Sequence, residues 1–246
     1  MVFPHWFFYS NIGDQAMNIP SAFSLTRDNG LSLRWLLLFC LLTSLTTGCA
    51  HQPWDIDTYI QNLERPERDE YQQPEKVVEA LNITPGMVVA DVGAGSGYFT
   101  RRFAKSVGET GQVLAVDIEQ KMLDYNKQEL ENIGIANRAT FILAKPDDPS
   151  LSENSVDLVF LCNAYHHVEH HLDYWAKIKS ALKPDGRVVI IDFYHDERSG
   201  KLSFSKHHLV PRERVIENME KVGLTLSKEH TFLPRQYFLE FIAEFS

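Results

Sequence analysis

Three glycines at alternate positions, Gly93, Gly95 and Gly97, follow the apolar run MVVADV, which contains Asp91. Glycine permits positive φ angles and lets a ligand come close to the main chain, so this stretch predicts a binding loop lined by backbone. A loop for pyrophosphate has the spacing G-x-G-x-x-G and opens a helix whose N-terminus binds the anion. Here the spacing is G-x-G-x-G, and the Asp91 carboxylate would repel an anion but attract a cation. The loop therefore favours a ligand that carries positive charge.

The segment LCNAYHHVEHH supplies a second group of side chains able to do chemistry. Asn163 offers a hydrogen-bond donor and an acceptor. His166 or His167 can take a proton from a bound molecule because imidazole titrates near neutral pH, and Tyr165 is a third candidate catalytic residue. His167 and His171 stand four residues apart, as ligands do on a zinc-binding helix, but the H-E-x-x-H order is absent. We therefore predict no metal site here.

Alternating strand-like and helix-like segments must position these residues. The apolar runs MVVADV, GQVLAVDI, RATFILA, VDLVFLCN and RVVIIDFYH predict buried strands separated by helices, and LTLSKEHTF and QYFLEFIAEF predict two consecutive strands at the end. This order predicts an α/β fold: a Rossmann-like, doubly wound, mostly parallel seven-stranded sheet with an antiparallel edge strand. Ligands bind such sheets at the carboxyl ends of the strands, where the glycine loop and Asn163 would meet.

The glycine loop, VLAVDIEQKML and LKPDGRVVIIDF occur in the order in which class I S-adenosylmethionine-dependent methyltransferases carry similar motifs, and the chain resembles that family over residues 74–194. The resemblance implies S-adenosylmethionine as cofactor, whose ammonium and sulfonium suit a loop beside a carboxylate. It also implies that Asp117 binds the ribose hydroxyls. The expected cofactor-binding residues are Asp91, Gly93, Ala94, Gly95, Gly97, Asp117, Ile118, Asp147 and Asn163.

One position departs from the family pattern. Many relatives place an acid after the third strand, near the adenine, and Lys145 stands there in FILAKPDD. Asp147 is the nearest replacement, and apolar contacts with main chain are the alternative. The chemistry itself asks little of the protein, because a sulfonium is already a good leaving group and the main task is to position a nucleophile. A base is needed where the acceptor is protonated at working pH.

Two segments could close over the site. RPERDEYQQP lies within residues 51–73, which we expect to form a polar linker, and could bring Tyr71 or Gln73 to the cofactor. The insertion SGKLSFSKHHLVPRERV is a candidate lid. Asp192, His195 and Asp196, at the end of the fifth strand, are expected to line the side where the methyl acceptor binds. A solvated linker without ligand contact is the alternative for the first segment.

The N-terminal region differs in composition from the rest. LRWLLLFCLLTSLTTGCA has a basic residue, an apolar core and then small residues, as in a secretion signal, and the stretch around Cys49 resembles a bacterial lipoprotein signal. We expect residues 1–50 to be a signal or membrane-anchor region, with anchoring through residues 34–49 and a lipidated Cys49. A cytoplasmic location is the alternative, and residues 1–30 could reflect a misassigned start. Residues 74–246 would then be the methyltransferase domain.

The net charge of −9 disfavours a nucleic-acid binder, and no added module suggests a macromolecular substrate. We therefore predict an S-adenosylmethionine-dependent methyltransferase acting on a small-molecule acceptor. A membrane-tethered binding protein on the same fold without turnover is one alternative. A NAD-dependent oxidoreductase is another; Asp117 would suit its ribose equally well, but the glycine spacing opposes it.

Overall fold

The computed structural model describes residues 55–168, 171–202 and 205–243. All described residues belong to one compact unit. The predictions for residues 34–49 and for Cys49 lie outside the described residues. Within the described part of the chain, no helix is both long enough and apolar enough to cross a bilayer.

Seven strands form one sheet in the order β3-β2-β1-β4-β5-β7-β6. Six strands are parallel, and β7 runs antiparallel to both of its neighbours, β5 and β6. The predicted mostly parallel sheet with antiparallel pairing at its edge is confirmed, with β6 outermost. The strands are β1 (Val88–Val92), β2 (Gln112–Asp117), β3 (Ala139–Leu143), β4 (Val156–Cys162), β5 (Leu182–Phe193), β6 (Leu224–His230) and β7 (Gln236–Ala243).

Helices cover both faces of this sheet. The strands are apolar on both sides, so both faces must be shielded from water. One face packs under Trp175 and Met219, and the other under Phe103 and Leu130, all of them fully buried. The helices are α1 (Ile56–Leu63), α2 (Glu67–Gln72), α3 (Pro74–Ala80), α4 (Thr100–Ser106), α5 (Gln120–Asn132), α6 (His171–Ala181) and α7 (Arg212–Lys221).

Where a polar linker is expected over residues 51–73, the described part, residues 55–73, forms two helices. Asp55 caps α1 by accepting a hydrogen bond from the Asp57 amide, and Ile56 and Ile60 of this helix pack against Met122. Two more side chains of the stretch, those of Arg68 and Gln72 on α2, are buried as well. Residues 55–73 are therefore an ordered part of the domain, which we call the helical cover.

The strand order places a crevice at the middle of the sheet. From β1 the chain runs outward through β2 to β3, and it then returns to β4 on the other side of β1. Such a reversal leaves a crevice at the carboxyl ends of β1 and β4, where open α/β sheets bind ligands. The glycine loop follows β1 and Asn163 follows β4, so both lie at this edge.

Candidate active site

The glycine loop is held by main-chain bonds and by close packing. Gly93, Gly95 and Gly97 all have positive φ, and the Gly93 amide donates to the Val116 carbonyl. A Cβ at Gly93 would lie 2.6 Å from the Cβ of Ala164, whereas a Cβ at Gly95 would meet only the end of a leucine side chain. Close packing against the residue Ala164, just after β4, therefore requires glycine at position 93, in addition to any need for ligand access.

Gly97 has a separate reason to be glycine. A Cβ there would lie 2.1 Å from Oδ1 of Asn126, a fully buried residue of α5. The Asn126 amide donates to the Thr100 hydroxyl (3.0 Å), which in turn donates to the Asp91 carboxylate (2.6 Å). The loop thus rests on a buried chain of hydrogen bonds that ends at β1.

Asp91 lies beneath the loop, with 3% of its surface exposed. Burial raises the pKa of its carboxyl to about 7, against the opposing effect of the Thr100 hydrogen bond and the Arg68 charge. The carboxyl therefore takes part in the internal network, and direct contact of Asp91 with a cofactor stays a prediction.

Asp117 links the end of β2 to the loop. Its carboxylate accepts from the Gly95 amide (2.8 Å) and from the Glu119 amide (3.0 Å), and burial raises its pKa. The next residue, Ile118, is 55% exposed, and Leu143, which pairs with Asp117 across β2 and β3, is 53% exposed. An acid and two uncovered apolar side chains therefore stand together at this side of the crevice.

Asp147 lies apart from this group, on an exposed turn after β3. Its carbonyl accepts from Lys177 of α6 (2.9 Å), and Lys145 pairs through its main chain with Asp148. The turn is thus fastened to α6, and a contact between Asp147 and a cofactor stays a prediction.

His166 and Asp192 form a buried pair where β4 and β5 end. His166 Nδ1 lies 2.8 Å and 3.0 Å from the two carboxylate oxygens of Asp192, and the His166 amide also donates to this group (3.3 Å). Both side chains are almost completely shielded from solvent. A carboxylate accepts hydrogen bonds, so Nδ1 of His166 is the donor to Asp192 and Nε2 is the ring nitrogen on the other side.

The other two candidate catalytic residues differ in their positions. His167 is exposed, and its ring centroid lies 4.0 Å from that of His166. Tyr165 is fully buried, stacks on Trp175, and accepts a hydrogen bond from Asn218. The Tyr165 side chain is therefore part of the core, and a catalytic role for it stays a prediction.

Asn163 joins two glutamines into what we call the amide triad. Gln236 Nε2 donates to Asn163 Oδ1 (2.6 Å), and Asn163 Nδ2 donates to Gln72 Oε1 (3.5 Å). Gln72 comes from α2 of the helical cover and Gln236 begins β7, so the triad ties the cover to the sheet. Asn163 itself has a positive φ of 57°.

Arg68 is a candidate that the sequence did not single out. Its side chain donates to the Leu63 carbonyl (3.0 Å) and its guanidinium lies 3.8 Å from the centroid of the Tyr98 ring, while its Nε is buried without a partner. Its charge lowers the pKa of the carboxyl of Asp91, so it lies close to the loop. Arg68 lies in a helix of mostly polar residues, where an arginine is usually expected to be exposed to solvent. For that reason its sequence context does not predict its burial.

The remaining predicted residues lie after β5 or in the helical cover. The Tyr71 ring lies 5.8 Å from that of Phe193, and Gln73 donates to the Phe232 carbonyl. His195 and Asp196 are exposed after β5. Among the residues placed by the structure, no three His, Cys, Asp or Glu side chains cluster as metal ligands would.

Comparison with known proteins finds methyltransferases similar to this chain. Residues 89–186 match the family model described as "Methyltransferase domain". The ubiquinone/menaquinone biosynthesis C-methyltransferase UbiE of Ectopseudomonas mendocina is 32% identical over 116 residues, which are 47% of this chain and 45% of the relative. The same enzyme of Haemophilus ducreyi is 26% identical over 138 residues, 55% of this chain and 53% of the relative. The chain spans about half the length of the curated relatives it matches.

Solved structures extend the likeness to a larger part of the chain. The structure of a SAM-dependent methyltransferase from Aquifex aeolicus superposes with a TM-score of 0.70 and 25% identity, and the match covers 77% of this chain and 98% of that one. A putative type 11 methyltransferase from Sulfolobus solfataricus, 21% identical with a TM-score of 0.55, shares the fold over 75% of this chain and 95% of that one. Residues 89–186 thus match a methyltransferase domain, and the fold is the one found in these methyltransferase structures.

Proposed function

We propose that this chain is an S-adenosylmethionine-dependent methyltransferase that acts on a small-molecule acceptor. The observation that carries the proposal is the G-x-G-x-G loop tied to Asp117 by the Gly95 amide, within a chain segment that matches a methyltransferase domain. The Aquifex relative is named for dependence on this cofactor, and the curated relatives are named as C-methyltransferases of ubiquinone/menaquinone biosynthesis. Both names support the same class of reaction here.

The ribose end of the cofactor fits Asp117. A carboxylate can accept about four hydrogen bonds, and the Gly95 and Glu119 amides use two of them. The remaining lone pairs suit two vicinal hydroxyls. The two main-chain bonds also hold the carboxylate in place before any ligand arrives, which lowers the entropic cost of binding.

The adenine end fits the two uncovered apolar side chains. Ile118 and Leu143 expose about half of their surface beside Asp117, and a flat purine would remove much of that surface from water. This contact replaces the acidic residue that relatives place after the third strand, where this chain has Lys145.

The amino-acid end fits Arg68. Its buried Nε has no partner, and an arginine pairs strongly with a carboxylate. Arg68 would therefore bind the carboxylate of the cofactor, with the helical cover above it. This assignment makes the cover part of the binding site.

When bound, S-adenosylmethionine supplies an electrophilic methyl group on a sulfonium. The chain supplies the base: Asp192 holds Nδ1 of His166, so that Nε2 can accept a proton from the acceptor. The buried carboxylate also stabilises the imidazolium that forms. His166 follows β4, beside the crevice, so the base stands on the acceptor side of the loop.

Isothermal titration of the full chain tests the cofactor assignment. We expect S-adenosylmethionine and S-adenosylhomocysteine to bind and NAD not to bind. Asp117→Ala should weaken cofactor binding about 10- to 100-fold, as expected for lost hydrogen bonds to a charged group. Asp124→Ala, on the exposed side of the neighbouring helix α5, is the matched control and should bind like the unaltered chain. Binding of NAD alone would favour the oxidoreductase, and binding of none would leave the proposal without support.

The location of the protein is a separate proposal. The sequence around Cys49 supports a lipoprotein anchor, but S-adenosylmethionine is made in the cytosol, so an exported domain would lack its cofactor. We infer attachment through residues 34–49 with the domain on the cytosolic side. Cell fractionation combined with protease treatment of intact cells tests this: membrane association with protection of the domain is expected, and digestion from outside would contradict it.

A further inference from the structure

We propose that the amide triad of Gln72, Asn163 and Gln236 is an acceptor subsite that selects an uncharged polar group on the molecule to be methylated. The inference rests on the proposed function and adds the chemistry of the acceptor to it. Asn163 follows β4, and Gln236 pairs with Phe193 at the end of β5. The triad therefore lies on the β4–β5–β7 side of the crevice, whereas the glycine loop and Asp117 lie on the β1–β2 side.

The hydrogen-bonding capacity of the triad is fixed by its connectivity. Three amides joined in a row by two hydrogen bonds leave an NH₂ group at one end and a carbonyl at the other, here Gln72 Nε2 and Gln236 Oε1. Reversing all three amides exchanges the two ends but leaves the same pair of groups. The triad thus offers one donor end and one acceptor end in either orientation.

Both free ends are buried. Gln72 and Gln236 have no exposed surface, and neither end atom has a hydrogen-bond partner. Unsatisfied buried polar groups are unfavourable and rare in native proteins, so two of them in one connected group require an explanation. Asn163, which links them, has a φ of 57°, in the left-handed region that asparagine tolerates. A ligand that satisfies both ends supplies that explanation.

The free ends discriminate by charge. A carboxylate would accept from the donor end but place negative charge against the carbonyl. An ammonium would donate to the carbonyl but meet the NH₂ group without an acceptor. A carboxamide, or a carbonyl and hydroxyl together, satisfies both ends. Tyr237, the neighbour of Gln236, pairs with Asp192 in the sheet, so the triad and the base lie at the same end of β5 and β7.

The helical cover controls access to this subsite. Gln72 is carried by α2, and Gln73, which connects α2 to α3, has a φ of 43° in the left-handed region. Because both free ends are shielded from solvent, an acceptor reaches them when the cover moves. Acceptor binding and displacement of the cover are therefore coupled.

Three matched probes test the selection: para-hydroxybenzamide, para-hydroxybenzoate and para-hydroxybenzylamine. They share a phenol and carry a neutral, a negative and a positive group at neutral pH. Binding of each to the full chain saturated with S-adenosylhomocysteine is measured by isothermal titration. We expect the benzamide to bind at least about tenfold more tightly than the other two. With either charged probe, one of the two buried ends of the triad would have no hydrogen-bond partner.

Variants at each end of the triad show whether the preference comes from it. Gln236→Leu and Gln72→Leu should each reduce the preference for the benzamide to about twofold or less while S-adenosylhomocysteine binds as before. Gln120→Leu makes the same change at an exposed position of α5 and should keep the preference. Equal affinities of the three probes, binding of none, or an unchanged preference in both variants would overturn the subsite. Failure of the unaltered chain to bind S-adenosylhomocysteine would instead refute the proposed function.

Discussion

Replacing Gly97 with alanine tests whether the glycine loop is set by packing on Asn126 as well as by backbone conformation. The new Cβ would lie 2.1 Å from Oδ1 and 2.4 Å from Cγ of Asn126, so this side chain must move. Its hydrogen bond to Thr100 would break, and a buried amide would lose its partner. We expect a cost of about 2–3 kcal/mol from this loss, added to about 1–2 kcal/mol for a side chain at a φ of 85°.

Gly134→Ala is the matched control. Gly134 has a φ of 72°, close to that of Gly97, but nothing lies within 4 Å of the Cβ that alanine would add. This variant should therefore lose only the conformational part, about 1–2 kcal/mol. The two variants should differ by about 2 kcal/mol or more, which corresponds to about 4–8 °C in Tm for a domain of this size.

Thermal and urea unfolding of the full chain, followed by circular dichroism, measure this difference. Equal destabilisation of the two variants would refute the packing argument and leave backbone conformation as the sole reason for Gly97. Cofactor titration of the Gly97 variant at a temperature where it is folded completes the test. Loss of binding is expected, because the loop cannot keep its position once Asn126 is displaced.

Three further predictions concern residues around the loop and the base. Burial raises the pKa of Asp91 to about 7, above its value in the unfolded chain, so its contribution to stability is present at acidic pH and lost as the pH rises through about 7. Asp91→Asn should remove that dependence from urea unfolding compared at about pH 5 and about pH 8, and an unchanged pH profile would contradict the buried acid. Asp192→Asn should lower kcat by about 100-fold or more with unaltered cofactor affinity, measured as S-adenosylhomocysteine release; a parallel loss of cofactor binding would indicate a structural role. Tyr165→Phe should keep kcat within about twofold and lower the unfolding free energy by about 1 kcal/mol through its bond to Asn218, whereas a large loss of kcat would support Tyr165 as catalytic.

The sheet could be predicted because its strands carry their signal locally. MVVADV and VDLVFLCN are continuous apolar runs, and strands buried on both faces need such runs wherever they lie in the sheet. The helical cover lacked that signal. Its α1 places two apolar residues, Ile56 and Ile60, on one side, and α2 buries Arg68 and Gln72 instead. A helix that covers a polar edge has no apolar stripe to identify it.

The arrangement of the site depends on contacts between distant segments. His166 and Asp192 are separated by 26 residues, and they meet because β4 and β5 are neighbours that end at the same edge. Which residue of the run Tyr165–His167 reaches that edge depends on the direction of a single short turn. Sequence spacing does not give that direction, so the burial of the Tyr165 side chain could not be predicted from the sequence.

The position of β7 has a consequence for how the chain folds. In the sheet, β7 (residues 236–243) lies between β5 and β6, but in the chain it follows β6. During synthesis β6 therefore appears before β7 and has no neighbour in the sheet until β7 is in place. A ribosome-bound chain that has produced α7 and β6 would expose one unpaired strand and one open sheet edge, both of which favour aggregation. The long-range pairing of β5 with β7 also predicts a late and slow step in folding. Completion of the sheet therefore waits for the segment that closes it, and chaperone protection during synthesis would be needed most at this stage.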